Sequence, residues 1–200
     1  MINQKALNGN RFSIKPPNHE NETGALTFGI TDDHPRLGDR IRRVPLTATA
    51  IPFMPTPWQT RLDAIHTVNG SAVLHNHTVI FEPAMSTLGL PDIILGPWLK
   101  MINPRPLGFL LQEIDCGRRD SMPSISLEMG GHNFTIGPYE YSYEAHFKES
   151  GEVHCILDVT EGTEDISVLG LSFLQRFYSV FDWDNREIGC KSSSSILQQN

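Results

Sequence analysis

Apolar and polar side chains alternate in several stretches, and that period of two predicts strands. Ala64-Ile65-His66-Thr67-Val68 and Ser71-Ala72-Val73-Leu74 flank Asn69-Gly70, a dipeptide that tolerates the positive φ angles of a type I′ hairpin turn. Ile125, Leu127 and Met129 alternate with polar residues, Gly130-Gly131 turns the chain, and Phe134 and Ile136 return. A third hairpin enters on Tyr178-Ser179-Val180-Phe181, turns at Asp184-Asn185 and returns through Ile188. Helical signals are fewer. Ile94, Leu95, Trp98 and Ile102 share one helical face between Pro91 and Ile102, with Pro91 suited to a first turn and Gly96-Pro97 expected to kink or split the segment. Leu171 to Phe177 offers about two more turns. The pattern predicts a mostly β fold of antiparallel hairpins with two short helices at its margins. No internal repeat is visible, and a disordered tail is expected over 191–200, where four serines run together.

Composition narrows the function classes. The 200 residues hold 16 Lys plus Arg against 23 Asp plus Glu, a net charge of −7, and 39% hydrophobic residues, which suits one soluble domain with a core, or two small ones. Without a block of Lys and Arg there is nothing to displace counterions from a phosphate backbone, so a nucleic-acid partner is not expected. The apolar stretch Leu88 to Leu99 is broken by Pro91, Asp92 and Pro97, far short of the roughly 20 apolar residues that span a bilayer. Residues Met1 to Lys15 lack the apolar segment of a signal peptide. Four Asn-X-Ser/Thr triplets, at Asn21, Asn69, Asn76 and Asn133, point the other way, toward glycosylation in the secretory pathway. Cys116, Cys155 and Cys190 do not have zinc-ribbon spacing. They leave open one disulfide plus a spare thiol, or three reduced cysteines.

Few residues gather into sites. His75 and His77 sit two apart and would share a strand face with His66 across the hairpin. Lacking a fixed fourth ligand, they read as histidines on a polar strand face, and no metal is assigned. Asp32-Asp33-His34 before Pro35 reads as a solvated turn. No Gly-rich phosphate loop precedes a helix and Gly-X-Ser-X-Gly is absent, so no cofactor is expected. The segment Val79 to Leu88 is different, because an apolar strand delivers Glu82 into a tight turn.

That segment resembles the C-terminal lobe of a pepsin-like aspartic protease, in which a strand ends in an Asp-Thr-Gly loop carrying one of two catalytic aspartates. The neighbours strengthen the resemblance. Leu26-Thr27-Phe28-Gly29 with Asp32, then Gly38 and Val44-Pro45, follow the start of that lobe. Trp58-Gln59, Leu62 to Ile65 and Val68-Asn69-Gly70 look like the hairpin before the loop. Pro123-Ser124-Ile125, Gly130-Gly131 and Pro138-Tyr139 fit behind it, as do Val168-Leu169-Gly170, Phe173-Leu174, Tyr178 to Asp182 and Ile188-Gly189. The match runs from Phe12 to Cys190. It implies a single lobe over 12–190, an N-terminal extension over 1–11, and a disulfide between Cys116 and Cys155 that would stabilise the fold by roughly 4 kcal/mol.

The resemblance also implies a site, and the sequence departs from it. In the family each lobe supplies one carboxylate and the two share a proton, one acting as acid and the other as base. Here Glu82 stands at the aspartate position, Pro83 at the threonine, Ala84 at the glycine, and Leu171 where an Asp commonly follows Leu-Gly, while Ser86 keeps a hydroxyl. No second Asp-Thr-Gly or Asp-Ser-Gly occurs. The expectation is a truncated pepsin-like homologue, inactive by itself, with Glu82 an ordinary polar residue at the end of a buried strand. The alternatives are a non-catalytic peptide- or protein-binding module, a homodimeric acid protease with Glu82 from each subunit, or a fold recruited to small-molecule chemistry. Unpaired strand edges on a lone lobe imply a homodimer or a partner lobe. No substrate-binding residue follows from the resemblance, which places the chain in the secretory pathway.

Overall fold

In the computed structural model, which describes residues 7, 9–17, 22–29, 41–47, 58–148 and 150–192, eighteen strands numbered in chain order form four sheets. The first sheet runs from β2 (Ala25–Phe28) through β1 (Arg11–Lys15), β17 (Phe177–Asp182) and β18 (Glu187–Ser192) to β3 (Arg42–Pro45). The second has the order β15 (Val159–Glu161), β8 (Leu88–Leu90), β16 (Ile166–Leu169), β7 (Thr78–Phe81) and β4 (Gln59–Arg61). The third joins β12 (His132–Ile136), β11 (Ile125–Met129), β5 (Ala64–Thr67) and β6 (Gly70–Val73). The fourth joins β13 (Ser142–His146), β14 (Val153–Leu157), β10 (Leu111–Ile114) and β9 (Arg105–Leu107). The helices are α1 (Asp92–Ile102), α2 (Pro138–Tyr141) and α3 (Leu171–Leu174), with a 3-10 helix at Cys116–Ser121. The architecture is mostly β and consistent with a single pepsin-like lobe.

The hairpins follow from the side-chain alternation. Along β11 the odd residues Ile125, Leu127 and Met129 are buried, and the turn beyond has φ of 56° at Gly130 and 75° at Gly131, the pair of positive angles that suits the right-handed twist of flanking strands. In the third hairpin the turn is tied by Asp182, whose carboxylate accepts Asn185 N–H at 3.0 Å and Asn185 Nδ2 at 2.9 Å. The first hairpin differs from expectation. Thr67 pairs with Gly70, so Val68-Asn69 form the turn, neither at positive φ, and Gly70 at φ 132° is the first residue of β6. Glycine absorbs the turn's strain after the corner, not within it.

The helices also depart from the pattern. Pro97 does not split α1, which continues through it for 11 residues. Pro97 lies on the exposed side, while Ile94, Leu95, Trp98 and Ile102 are anchored in the core, so packing outweighs the lost N–H bond. The helix predicted from Leu171 is only four residues long, and α2 adds a turn that periodicity cannot reveal. The core joins all four sheets through Val44, Phe81, Trp98, Leu127 and Cys155. Cys116 is bonded to Cys155, Cα to Cα 5.3 Å apart, and Cys190 is a free buried thiol. A disordered tail was expected over 191–200, but Lys191 and Ser192 are the last residues of β18, paired with β17, and residues 193–200 lie outside the described residues. Among the described residues no helix is long and apolar enough to cross a membrane.

One ionisable cluster on the fourth sheet sets a pH dependence. His154 Nδ1 lies 2.6 Å from Glu113 Oε2, and Nε2 lies 3.6 Å from Glu152. The hydrogen bond to Glu113 is the main cause that raises the histidine pKa above 6.5. A raised folded-state pKa gives stability that is complete below about pH 6.5 and is lost as pH rises through the folded value. His154→Gln is therefore expected to melt below the wild type at about pH 5.5 and together with it at about pH 8.5. Thermal unfolding at both pH values checks this; an equal gap at both would remove the histidine charge as its cause.

Candidate functional site

The loop at the end of β7 is positioned by burial on every side. Thr78, Val79, Ile80 and Phe81 are all buried because β7 lies between β4 and β16, the continuous apolar run of a strand covered on both faces. Glu82 N–H donates to Leu169 O at 3.0 Å, so the parallel pairing reaches one residue past the strand. The chain then turns through Pro83 and Ala84, closed by Met85 N–H on Glu82 O at 3.1 Å. Pro83 suits the second turn position because its fixed φ is already that of the turn.

Leu169 leads into the second half of the site. Gly170 N–H donates to Thr87 O at 3.1 Å, Leu171 N–H to Met85 O at 2.8 Å and Ser172 N–H to Ser86 O at 2.7 Å. This zipper brings the two backbones so close that a Cβ on Gly170 would lie 2.4 Å from Met85 O and 2.5 Å from Thr87 O. Glycine is required there by approach, not by dihedral angle.

Side chains complete the arrangement. Glu82 is half-buried, and its Oε1 accepts the N–H of Ala84 at 3.1 Å. The carboxylate thus curls onto the turn it begins. Asp158, between β14 and β15, was missed by sequence reasoning and ties the site together. Its Oδ1 accepts the Ser86 hydroxyl at 3.2 Å and its Oδ2 lies 3.0 Å from the Ser172 hydroxyl. Its carbonyl accepts Leu88 N–H at 3.0 Å. The one available signal was a lone acid between the apolar Cys155-Ile156-Leu157 and Val159. No hydrogen bond joins Glu82 to Asp158 among the described residues, so the two carboxylates do not form a proton-sharing pair. Leu171 is exposed at the helix start, where its side chain offers no acceptor.

The remaining sequence-predicted residues are not brought together. His75 and His77 lie between β6 and β7 and not on a strand. His75 is exposed, whereas His77 is buried, against the expectation of a polar strand face. His77 Nδ1 lies 2.9 Å from Glu164 O and Nε2 2.9 Å from the Ser167 hydroxyl. A carbonyl can only accept, so Nδ1 carries the proton, and burial holds the pKa below 6.5. His66 contacts Ser71 at 2.6 Å and Glu128 at 3.1 Å, a cross-strand chain on the open face of the third sheet. Among the described residues no three or more His, Cys, Asp or Glu side chains are grouped to hold a metal. Asn69, Asn76 and Asn133 are exposed. Asn21 and the residues Asp32, Asp33, His34, Pro35 and Gly38 lie outside the described residues.

Comparison with known proteins places this geometry. Vacuolar protease A of Aspergillus fumigatus is 31% identical over 184 residues, 89% of this chain and 43% of that protein. A probable vacuolar protease A of Trichophyton verrucosum is 32% identical over 196 residues, 94% of this chain and 46% of its own length. Human cathepsin D is 25% identical over 205 residues, with 98% of this chain and 47% of that protein covered. The chain therefore spans about half the length of the curated relatives it matches. A family profile described as eukaryotic aspartyl protease matches residues 1–192, and with the crossed strands that carry Glu82 and Gly170 this leaves one conclusion: the chain belongs to the pepsin-like eukaryotic aspartyl protease family.

Proposed function

We propose that this lobe does not hydrolyse peptides by itself and that its retained role is to hold a peptide or protein segment. The observation that carries this reading is the hydrogen bond from Ala84 N–H to Glu82 Oε1 at 3.1 Å. Acid proteolysis of the pepsin type needs two carboxylates that share one proton around a water. The carboxylate at the family's catalytic position is engaged with its own turn, and its extra methylene moves it by about one bond, where displacements near 1 Å already slow a reaction severely. Asp158 cannot substitute, because its oxygens face the Ser86 and Ser172 hydroxyls.

The expected result is no cleavage of an unfolded protein substrate between acid and neutral pH, with or without pepstatin. Cleavage that is abolished by pepstatin and by Glu82→Gln would overturn the reading. It would favour instead a homodimeric acid protease with one Glu82 from each subunit. One observation supports pairing of some kind: edge strand β2 exposes all four residues, with Leu26 58% and Phe28 51% accessible. Sedimentation equilibrium of the folded chain distinguishes a dimer from a lobe that awaits another partner.

A secretory route is part of the same proposal. Two of the relatives above are vacuolar by name, and a disulfide suits an oxidising compartment. Expression through a eukaryotic secretory pathway is expected to yield glycans on exposed Asn69, Asn76 or Asn133. Enzymatic deglycosylation followed by peptide mapping reads the asparagine-to-aspartate conversion; unmodified peptides at all three positions would sink the proposal.

A further inference from the structure

A cavity of about 730 Å³ opens where the end of β18, the start of β17 and the start of β3 meet β12. Register explains how distant segments meet there: Cys190 pairs with Arg42, and Phe177 with Ser192. Among the described residues the lining includes Arg42, Arg176, Lys191 and His132 and no Asp or Glu. That is notable in a chain whose net charge is −7.

The cations are held in place by the fold. Arg42 donates through Nη1 to the Asn133 carbonyl, and its guanidinium lies 5.8 Å from the Phe134 ring centroid. Its described contacts include no carboxylate, so its charge is not neutralised by them. Arg176 Nη1 has Glu140 Oε1 at 3.6 Å. Lys191 is 4% exposed. The floor is apolar, formed by Ile41, Phe177 and Cys190, whose thiol burial pushes up to about 12 and so keeps neutral.

We propose that this cavity binds a small phosphomonoester of about the size of a sugar phosphate. A phosphate presents three acceptor oxygens, and a guanidinium can meet two of them at once. The volume falls in the range of small-molecule sites, roughly 300–1,000 Å³. A bare phosphate would leave most of it unfilled, whereas a sugar-sized body can rest on the Phe177 floor. None of its described lining residues belongs to the Glu82 loop, and the proposal does not rest on the reading of that loop.

Titration calorimetry of the folded chain at constant ionic strength tests this with three probes: glucose 6-phosphate, inorganic phosphate and glucose. Glucose 6-phosphate is expected to bind, inorganic phosphate more weakly, and glucose not at all. Arg42→Gln and Arg176→Gln are each expected to weaken glucose 6-phosphate by about tenfold or more, the usual effect of losing a hydrogen bond to a charged group. Arg42→Lys keeps the charge but loses the fork, and should fall between wild type and Arg42→Gln. Near-ultraviolet circular dichroism identifies any variant that has lost its fold, in which case the other arginine decides. Absence of glucose 6-phosphate binding to the wild type overturns the proposal. So does binding that no folded arginine variant alters, or inorganic phosphate that binds as tightly as the ester.

Discussion

Replacing Cys116 and Cys155 together by alanine is expected to destabilise the lobe by about 4 kcal/mol, which for a chain of this size lowers the melting temperature by roughly 8–16 °C. The disulfide closes a loop with a sequence separation of 39, and the chain-entropy model assigns most of its effect to the unfolded ensemble. The loop encloses β11, β12, α2 and β13, and the bond fastens the 3-10 helix to β14, the strand between β13 and β10. Loss of the bond therefore releases the whole loop from 116 to 155 in the unfolded chain. Cys190, buried in β18, is then the one cysteine left. Chemical denaturation of the double variant beside the wild type measures the difference; a loss under about 1 kcal/mol would show that the unfolded chain is already compact across this loop.

How much of this was legible in the sequence depended on which physical signal each element left. Ile125 to Ile136 was readable because one face is buried and one is wet, which writes a period of two. The crossed centre of the second sheet left no such mark, since Val79, Ile80, Phe81, Leu88, Gly89 and Leu90 are buried on both faces. Their parallel partners, β16 and β15, lie about 70 to 90 residues away, and nothing local announces the pairing. Resemblance supplied what periodicity could not, the Glu82 loop and the Leu169-Gly170 strand end facing it. It did not supply Asp158, whose role depends on hydroxyls from two other segments. The basic cavity was equally hidden, because Arg42, His132, Arg176 and Lys191 converge only through strand register. Pro97 misled for the opposite reason: a local rule was outweighed by four buried side chains on the other face of α1.

Phe173→Ala is expected to cost about 3–5 kcal/mol and to loosen the Glu82 loop as well. Phe173 is fully buried on α3, and its ring centroid lies 5.9 Å from Phe81, 6.1 Å from Phe134 and 4.8 Å from Phe177. It thus joins the strand that delivers Glu82, the third sheet and the first sheet at one point. Truncation loses the transfer energy of the ring and leaves a cavity that three fixed strands cannot easily close. Phe173→Leu keeps much of the volume and should lose less than half as much. The functional consequence follows from the chain neighbours. Phe81 precedes Glu82, and Phe173 follows the three residues whose N–H groups bond Thr87, Met85 and Ser86. A cavity between the two rings weakens both sides of that zipper together. Hydrogen exchange at Glu82, Gly170, Leu171 and Ser172 is therefore expected to speed up more than at Leu127 in β11, beyond the global loss of stability. Uniform acceleration at all five amides would mean that Phe173 supports the whole core equally and that the loop has no local dependence on it.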